Sequence, residues 1–372
     1  MRRRACALSV TAVSLLVATV VSAPTAVAAP PEPASLADAV ARDLGLSPQQ
    51  FLDRADTARR LAEFTAAAGP AVRGHLDAAG LPVVAVADGP SRADVVDAAA
   101  AAGFMIDPAA FDIPAAVLDS PVFDTIGPLL DRLPFDPSLT AGPIRASSYL
   151  GGDSFLAGTP AGAGLRCSLG FNAVDPTRGA VNITAGHCDP GESSTGSAVT
   201  TGAYPMYGSL VGSKFGSFYR TSRAHNDYAL IDIDDGNTGE FESNAMRVPG
   251  SGPLLITGTV DPVVGAPVCK SGATTGFSCG TILSTGQHVT MGGNVLDRSF
   301  STSICALRGD SGGPIVSGTL AVGIANASNV GDQPSCEIAT VVSMLQGQRP
   351  ELFATPINDI LAENPGLTVR TS

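Results

Sequence analysis

Gly309-Asp310-Ser311-Gly312-Gly313-Pro314 is the stretch that decides how the rest of this chain is read. A serine set among glycines can present both its hydroxyl and its own N–H to an incoming group. The glycines of the stretch, lacking a Cβ, let another backbone approach closely. A serine hydroxyl is a weak nucleophile until a neighbouring base takes its proton. The remaining sequence must therefore supply that base, and the order in which it does so is informative.

Gly309-x-Ser311-x-Gly313 also fits the nucleophile elbow of α/β-hydrolases, whose triad runs Ser, then acid, then His. The chain has four histidines, His75, His187, His225 and His288, and all precede Ser311. That order is therefore closed, and His, then acid, then Ser remains open.

A net charge of −12 and only 15% charged residues argue against nucleic acid or an anionic membrane as partner. With 42 glycines, 28 prolines and no tryptophan, the composition favours a turn-rich fold over long helices. Residues 1–29 read as a secretory signal peptide. Arg2, Arg3 and Arg4 form its basic end, Ala7 to Val21 its apolar run, and Ala26-Val27-Ala28 a cleavage motif. Of seven cysteines, Cys6 lies in that leader. The others are Cys167, Cys188, Cys269, Cys279, Cys305 and Cys336. An even set in an exported chain reads as disulfides, with the pairing left open by spacing alone. None has Cys-x-x-Cys spacing, so zinc is not expected.

Residues 30–146 are rich in alanine and aspartate and free of cysteine. Ser47 is placed to cap a helix with Pro48 at its first position, and the amphipathic run continues through Leu61 and Phe64. Leu81 to Val86 reads as a strand and Ala87 to Pro90 as a turn. Ser91 is expected to cap a second helix, with Asp94 three residues on. Residues 107–146 are studded with proline and read as a linker. From about Tyr149 the texture becomes short β-prone segments: Gly179 to Thr184, Asp227 to Ile233, His288 to Met291, Pro314 to Val316 and Leu320 to Ala325. A barrel or sandwich is expected, with a helix near Pro356 to Ala362.

His187 lies in Thr184-Ala185-Gly186-His187-Cys188, at a strand end and beside a cysteine that can tether it. A general base must be held within hydrogen-bond reach of its hydroxyl. Asp227 lies in Asn226-Asp227-Tyr228-Ala229-Leu230, where a part-buried carboxylate could accept the other imidazole N–H.

These three motifs, in this order, resemble the chymotrypsin-like serine proteases, and within them the bacterial streptogrisin and α-lytic protease branch. Arg166 to Asn172 and Cys269-Lys270-Ser271-Gly272-Ala273-Thr274-Thr275-Gly276-Phe277-Ser278-Cys279-Gly280 are similar to stretches of that branch. The likeness covers most of residues 149–372. More loosely, His75 to Asp77, Val83 to Val86 and Val95 to Gly103 are similar to its pro-regions. The resemblance implies an all-β mature domain over 147–372, with two six-stranded antiparallel Greek-key barrels and a C-terminal helix. A small α+β pro-region and linker over 30–146 would precede it. That pro-region would aid folding, inhibit the protease, and be removed near Tyr149. Barrels with non-local contacts fold slowly, and a detachable template would ease folding without lowering the unfolding barrier.

The resemblance also implies roles. Ser311 would be the nucleophile, His187 the base and then the acid, Asp227 the orienting carboxylate, and the N–H groups of Gly309 and Ser311 the oxyanion hole. The cysteines would pair Cys167–Cys188, Cys269–Cys279 and Cys305–Cys336. Lys270 would neutralise Asp310. Ser303 stands where trypsin-like members carry aspartate, and Ala325 where glutamate-specific members carry histidine. Asn326-Ala327-Ser328 replaces the usual Ser-Gly-Gly substrate-pairing segment, and the side chains of Ala327 and Ser328 would narrow the pocket. Ser303, Ala325, Asn326, Ala327 and Ser328 would thus form an apolar pocket for small or medium apolar residues. No metal and no organic cofactor is implied. Asp232, Asp234 and Asp235 are better read as a solvated turn than as a calcium loop. The expected protein is a secreted, extracellular endopeptidase acting on protein or peptide substrates, with no nucleic acid or membrane partner after signal cleavage. The rival is a catalytically weak or inactive secreted binding protein on the same fold.

Overall fold

The computed structural model describes residues 35–108, 127–135, 148–159, 162–291 and 294–372. The expected signal peptide and the expected 146/147 boundary lie outside these residues.

Two helices open the described chain. Helix α1, Leu36–Leu44, is capped by the Ser35 hydroxyl and ends at Gly45, whose φ of 64° suits glycine. Helix α2, Pro48–Ala68, begins with a full capping box between Ser47 and Gln50. A three-stranded sheet of Val72–Leu76, Pro82–Val86 and Met105–Ile106 follows, with helix α3, Arg92–Ala101, between its second and third strands. The expected Ser91 cap is not formed, because the Ser91 backbone is not extended and its side chain makes no capping bond.

This α+β region shares one core with the second half of the chain. Leu61, Val72, Leu76 and Val84 belong to the same buried cluster as Val263, Val268, Ile282 and Phe300. The joint is also polar: Leu76 N–H donates to Val264 O at 2.8 Å, and Cys279 N–H to Asp43 Oδ2 at 2.7 Å.

The remainder is mostly β. An eight-stranded sheet contains six strands that close on themselves, because Leu320–Ser328 pairs with Leu352–Pro356 as well as with Pro314–Ser317. Pro267–Gly272, Gly276–Met291 and Asn294–Thr302 complete that ring. The other sheet has ten strands, not the expected six. Its interior is aromatic, with Phe155, Phe215, Phe218 and Phe241 buried together. The extra strands come partly from the chain end, Thr368–Val369, and partly from Asp131–Pro134. A third cluster, including Ile183, Tyr228, Leu230, Val316 and Ile324, fills the space between the sheets.

Residues 107–146 are thus not all linker. Gly127–Pro128 adds to the edge of Leu320–Ser328, and Asp131–Pro134 adds to Ala163–Ser168. A proline-rich stretch can do this because an edge strand tolerates missing donors. Two further helices lie near the C-terminus: α4, Cys336–Leu345, which the sequence reading missed, and α5, Ile357–Glu363. No helix among the described residues is long and apolar enough to cross a membrane.

The shared core makes Leu61 a test of the joint. Leu61→Ala would leave a cavity in this shared cluster, lowering stability by about 2–5 kcal/mol, to be read from denaturant unfolding of the full chain.

Candidate active site

Register explains why His187 and Asp227 meet. Strand Gly179–Thr184 pairs antiparallel with Tyr228–Ile233, with Thr184 opposite Ala229. The residues just after one strand and just before the other are therefore neighbours. His187 sits in a single 3-10 turn, Gly186–Cys188, held by the Cys167–Cys188 disulfide. Gly186 has no room for a side chain: a Cβ there would lie 2.2 Å from Ser222 O.

Ser311 comes from the other sheet, in the turn before Pro314–Ser317. Its Oγ lies 2.6 Å from His187 Nε2. His187 Nδ1 bonds to Asp227 Oδ2, and His187 N–H donates to Asp227 Oδ1 at 2.7 Å. All three side chains are buried. The imidazole is thus fixed on one side by a carboxylate and faces a hydroxyl on the other, which is the arrangement that lets it take that hydroxyl's proton.

Around Ser311 the backbone is tightly folded. Gly309 has φ 96° and Gly312 φ 83°, conformations that favour glycine. Asp310 turns inward. Its carboxylate accepts from the N–H groups of Thr274, Thr275 and Leu307, and from Thr275 Oγ1 at 2.7 Å. Lys270 Nζ stands 3.5 Å from Asp310 Oδ2, and both side chains are fully buried. Burial pushes the Lys270 ammonium toward easier deprotonation, while the Asp310 carboxylate opposes that. Lys270 also donates to Thr275 Oγ1 at 2.6 Å, so one threonine bridges cation and anion.

The site is occupied by the chain itself. Leu129 O accepts from Gly309 N–H at 3.0 Å and from Ser311 Oγ at 3.0 Å. Leu129 N–H donates to Asn326 O at 3.4 Å, and Pro128 and Gly127 pair with Ala327 and Ser328. The Leu129 side chain is fully buried, in the cluster that holds Ile304, Ala306 and Ala325.

A profile of the Trypsin family matches residues 179–347. Serine protease 2 of Streptomyces fradiae is 35% identical over 188 residues, which are 48% of this chain and 94% of that protein. The chain belongs to the trypsin-like serine proteases. Streptogrisin-C of Streptomyces griseus is 32% identical over 232 residues, 62% of this chain and 43% of its own length, so the chain spans less than half of that relative. Among solved structures, Nocardiopsis protease (NAPase) is 28% identical and covers 60% of this chain and 100% of its own, with a TM-score of 0.46.

Several positions expected from the protease motifs take different parts here. Asn326, expected in the substrate pocket, turns its side chain the other way. Its Nδ2 donates to Asp227 O at 2.6 Å and Asp227 Oδ2 at 3.0 Å, and its Oδ1 accepts from Thr355. Only its backbone faces Leu129. Ala327 does not narrow the pocket either. A bulge between Ala325 and Ala327 breaks the alternation, so Ala325 shares a cluster with Leu129 while Ala327 packs with Val289, Leu296 and Phe353. Ser328 Oγ accepts from Val330 N–H, and Ser303 Oγ from Thr281 N–H. The three disulfides Cys167–Cys188, Cys269–Cys279 and Cys305–Cys336 are present.

Two positioning residues were missed in the sequence. Ser168 Oγ donates to Gly309 O at 2.8 Å and accepts from Ala273 N–H at 2.9 Å, while Ser168 N–H donates to Ser311 O. Asp189, two residues after His187, is buried and accepts from Thr201, Thr221 and Gly191. Neither carries a motif; adjacency to Cys167 and His187 was the one available cue. The remaining histidines lie elsewhere. His225 and His288 both bond to Asp297. Burial pushes that carboxyl up, and the two histidine bonds outweigh it, leaving Asp297 below the usual carboxylate range. Asp232 pairs with Arg178 and Asp234 with Lys214, so the aspartates near Gly236 do not converge.

Asn326 offers a direct test of the carboxylate's support. A hydrogen bond to a charged group contributes about 1.5–3 kcal/mol, so Asn326→Ala should slow fluorophosphonate labelling of Ser311 by roughly 10- to 100-fold. Asn326→Asp, which sets a second carboxylate against Asp227, should slow it further.

Proposed function

We propose that this protein is a secreted serine endopeptidase made as a precursor, which cleaves peptide bonds after small or medium apolar residues, leucine among them. What carries the proposal is the proton path: Ser311 Oγ lies 2.6 Å from His187 Nε2, with Asp227 bonded behind the ring. His187 takes the Ser311 proton as Oγ attacks the substrate carbonyl. The developing oxyanion is met by the Gly309 N–H, with the Ser311 N–H in the same role; one such donor contributes about 3–4 kcal/mol. His187 then passes the proton to the leaving amine, and water releases the acyl group by the same steps. Asp227 holds the tautomer and the orientation of the ring.

The substrate preference rests on the lining of the Leu129 side chain. Ile304, Ala306 and Ala325 supply no charge there, and the Ser303 hydroxyl is taken by Thr281 N–H. Glutamyl endopeptidase 2 of Streptomyces griseus is a 31% identical relative, yet the buried cluster that holds the Leu129 side chain is apolar here. Export rests on the leader composition and on three disulfides, which persist in oxidising compartments.

Peptide anilides varied at the residue before the cut are the measurement. Leucine and methionine should give the highest kcat/KM, with lysine, arginine and glutamate poorest. Ser311→Ala should lower kcat by roughly 10^4- to 10^6-fold. No turnover by the wild-type chain, together with no covalent labelling of Ser311, would mark it as a binding protein on a protease fold.

A further inference from the structure

The seated segment has a direction and a register, and together they single out one bond. We infer that the protein cleaves its own Leu129–Leu130 peptide bond within the same molecule, so that Leu130 becomes the first residue of the processed chain. This rests on the endopeptidase function proposed above, and it moves the processing point well upstream of the expected 146/147 boundary.

The acyl side of the bond is held as a substrate would be. Gly127 and Pro128 lie antiparallel to Ser328 and Ala327, and Leu129 N–H points to Asn326 O. The Leu129 side chain fills the apolar recess, close enough to Gly331 that a Cβ there would come within 2.8 Å of Leu129 Cδ2. Its carbonyl oxygen is already on the Gly309 N–H, 3.0 Å away, and Ser311 Oγ is equally near.

The amine side is held independently. Asp131, Arg132 and Leu133 pair with Arg166, Leu165 and Gly164. Asp131 adds an ion pair with Arg166 at 3.3 Å, and Arg166 reaches on to Ala273 O and Thr274 Oγ1 beside the Gly309 turn. Phe135 packs on Tyr204 with ring centroids 4.8 Å apart. It occupies space that Gly158 and Gly164 leave open, since a Cβ on either would fall within 3 Å of the ring or its Cβ. Contacts on both sides of one bond stretch the chain across the nucleophile, and this supplies the positioning that a separate substrate must gain by binding.

Ser311 Oγ bonds to the Leu129 carbonyl carbon as its proton passes to His187 Nε2. The bond from that carbon to Leu130 N breaks, and His187 gives the proton to the departing nitrogen. Water then attacks the ester, its proton passing through His187 back to Ser311 Oγ, and leaves a carboxylate on Leu129. A cavity of ≈ 560 Å³ lined by Leu130, Leu133, His187, Asp189 and Arg223 lies on the amine side of the bond.

The experiment is to express the full chain as wild type, Ser311→Ala, Leu129→Met and Leu129→Lys, and to follow intact mass and N-terminal sequence with time. Wild type should yield a chain beginning at Leu130 and a fragment ending at Leu129. Its half-time should be unchanged by 100-fold dilution. Leu129→Met should process within a few-fold of wild type, Leu129→Lys at least tenfold more slowly, and Ser311→Ala not at all. Added wild-type enzyme should cut Ser311→Ala at this bond far more slowly than wild type cuts itself. A leucine anilide assayed alongside separates the two failures. Wild type that turns over the anilide but begins elsewhere than Leu130, or whose half-time lengthens on dilution, overturns this inference alone. Wild type that neither processes nor turns over the anilide overturns the endopeptidase function as well.

Discussion

The Asp227 carboxylate, fully buried where the two sheets meet, is the constraint on which the site's geometry depends. An unpaired charge in that position would cost several kcal/mol. It is met instead from both halves: His187 donates its backbone N–H from one, and Asn326 its amide from the other. Asn326 is in turn fixed by Thr355 on the adjoining strand. Separating the halves would strand the carboxylate, so the charge that orients the imidazole also helps to hold the sheets in register. The Lys270–Asp310 pair repeats the logic under the serine. A buried cation and anion, bridged by Thr275, fix the turn whose Gly309 N–H donates to Leu129 O.

Covalent and polar ties converge on two adjacent residues. Cys167 is bonded to Cys188, next to His187, while Ser168 accepts from Ala273 and donates to both Gly309 and Ser311. One dipeptide therefore references the base loop and the nucleophile loop to the same strand. That matters because the proton path works only over hydrogen-bond distances, and the two loops are far apart in the chain.

Much of this was legible because local chemistry announces it. Ser311, His187 and Asp227 each sit in a motif whose neighbours, glycine, cysteine or an apolar run, suit a strand end or tight turn. The helix from Pro48 was equally plain, since Ser47, Pro48 and Gln50 are capping residues. What escaped depends on non-local register. Asn326 was assigned to the substrate pocket because Asn326-Ala327-Ser328 stands where the resemblance puts a substrate-pairing segment; its side chain instead bonds Asp227 and Thr355, partners that lie far away in the sequence. Helix α4 was missed because Ile338, Thr340, Val341 and Val342 are poor helix formers. Its N-terminal end is set by the Ser335 cap and by the Cys305–Cys336 bond instead.

Leu129 is the extreme case. Nothing in Gly127-Pro128-Leu129-Leu130 marks it locally, and prolines nearby suggest a tether. Its importance comes entirely from two strand edges that lie elsewhere in the sequence, Leu320–Ser328 and Ala163–Ser168. An edge strand offers unpaired N–H and C=O groups to any extended segment that reaches it. Here the chain's own Gly127–Pro128 segment satisfies that edge. While that segment stays seated it excludes other peptides, and Ser311 has no solvent-exposed surface. The contacts that block the site and the contacts that would orient a scissile bond are the same hydrogen bonds. Inhibition and self-processing are therefore a single geometry, differing only in whether the Leu129 carbonyl carbon stays planar or accepts the serine oxygen.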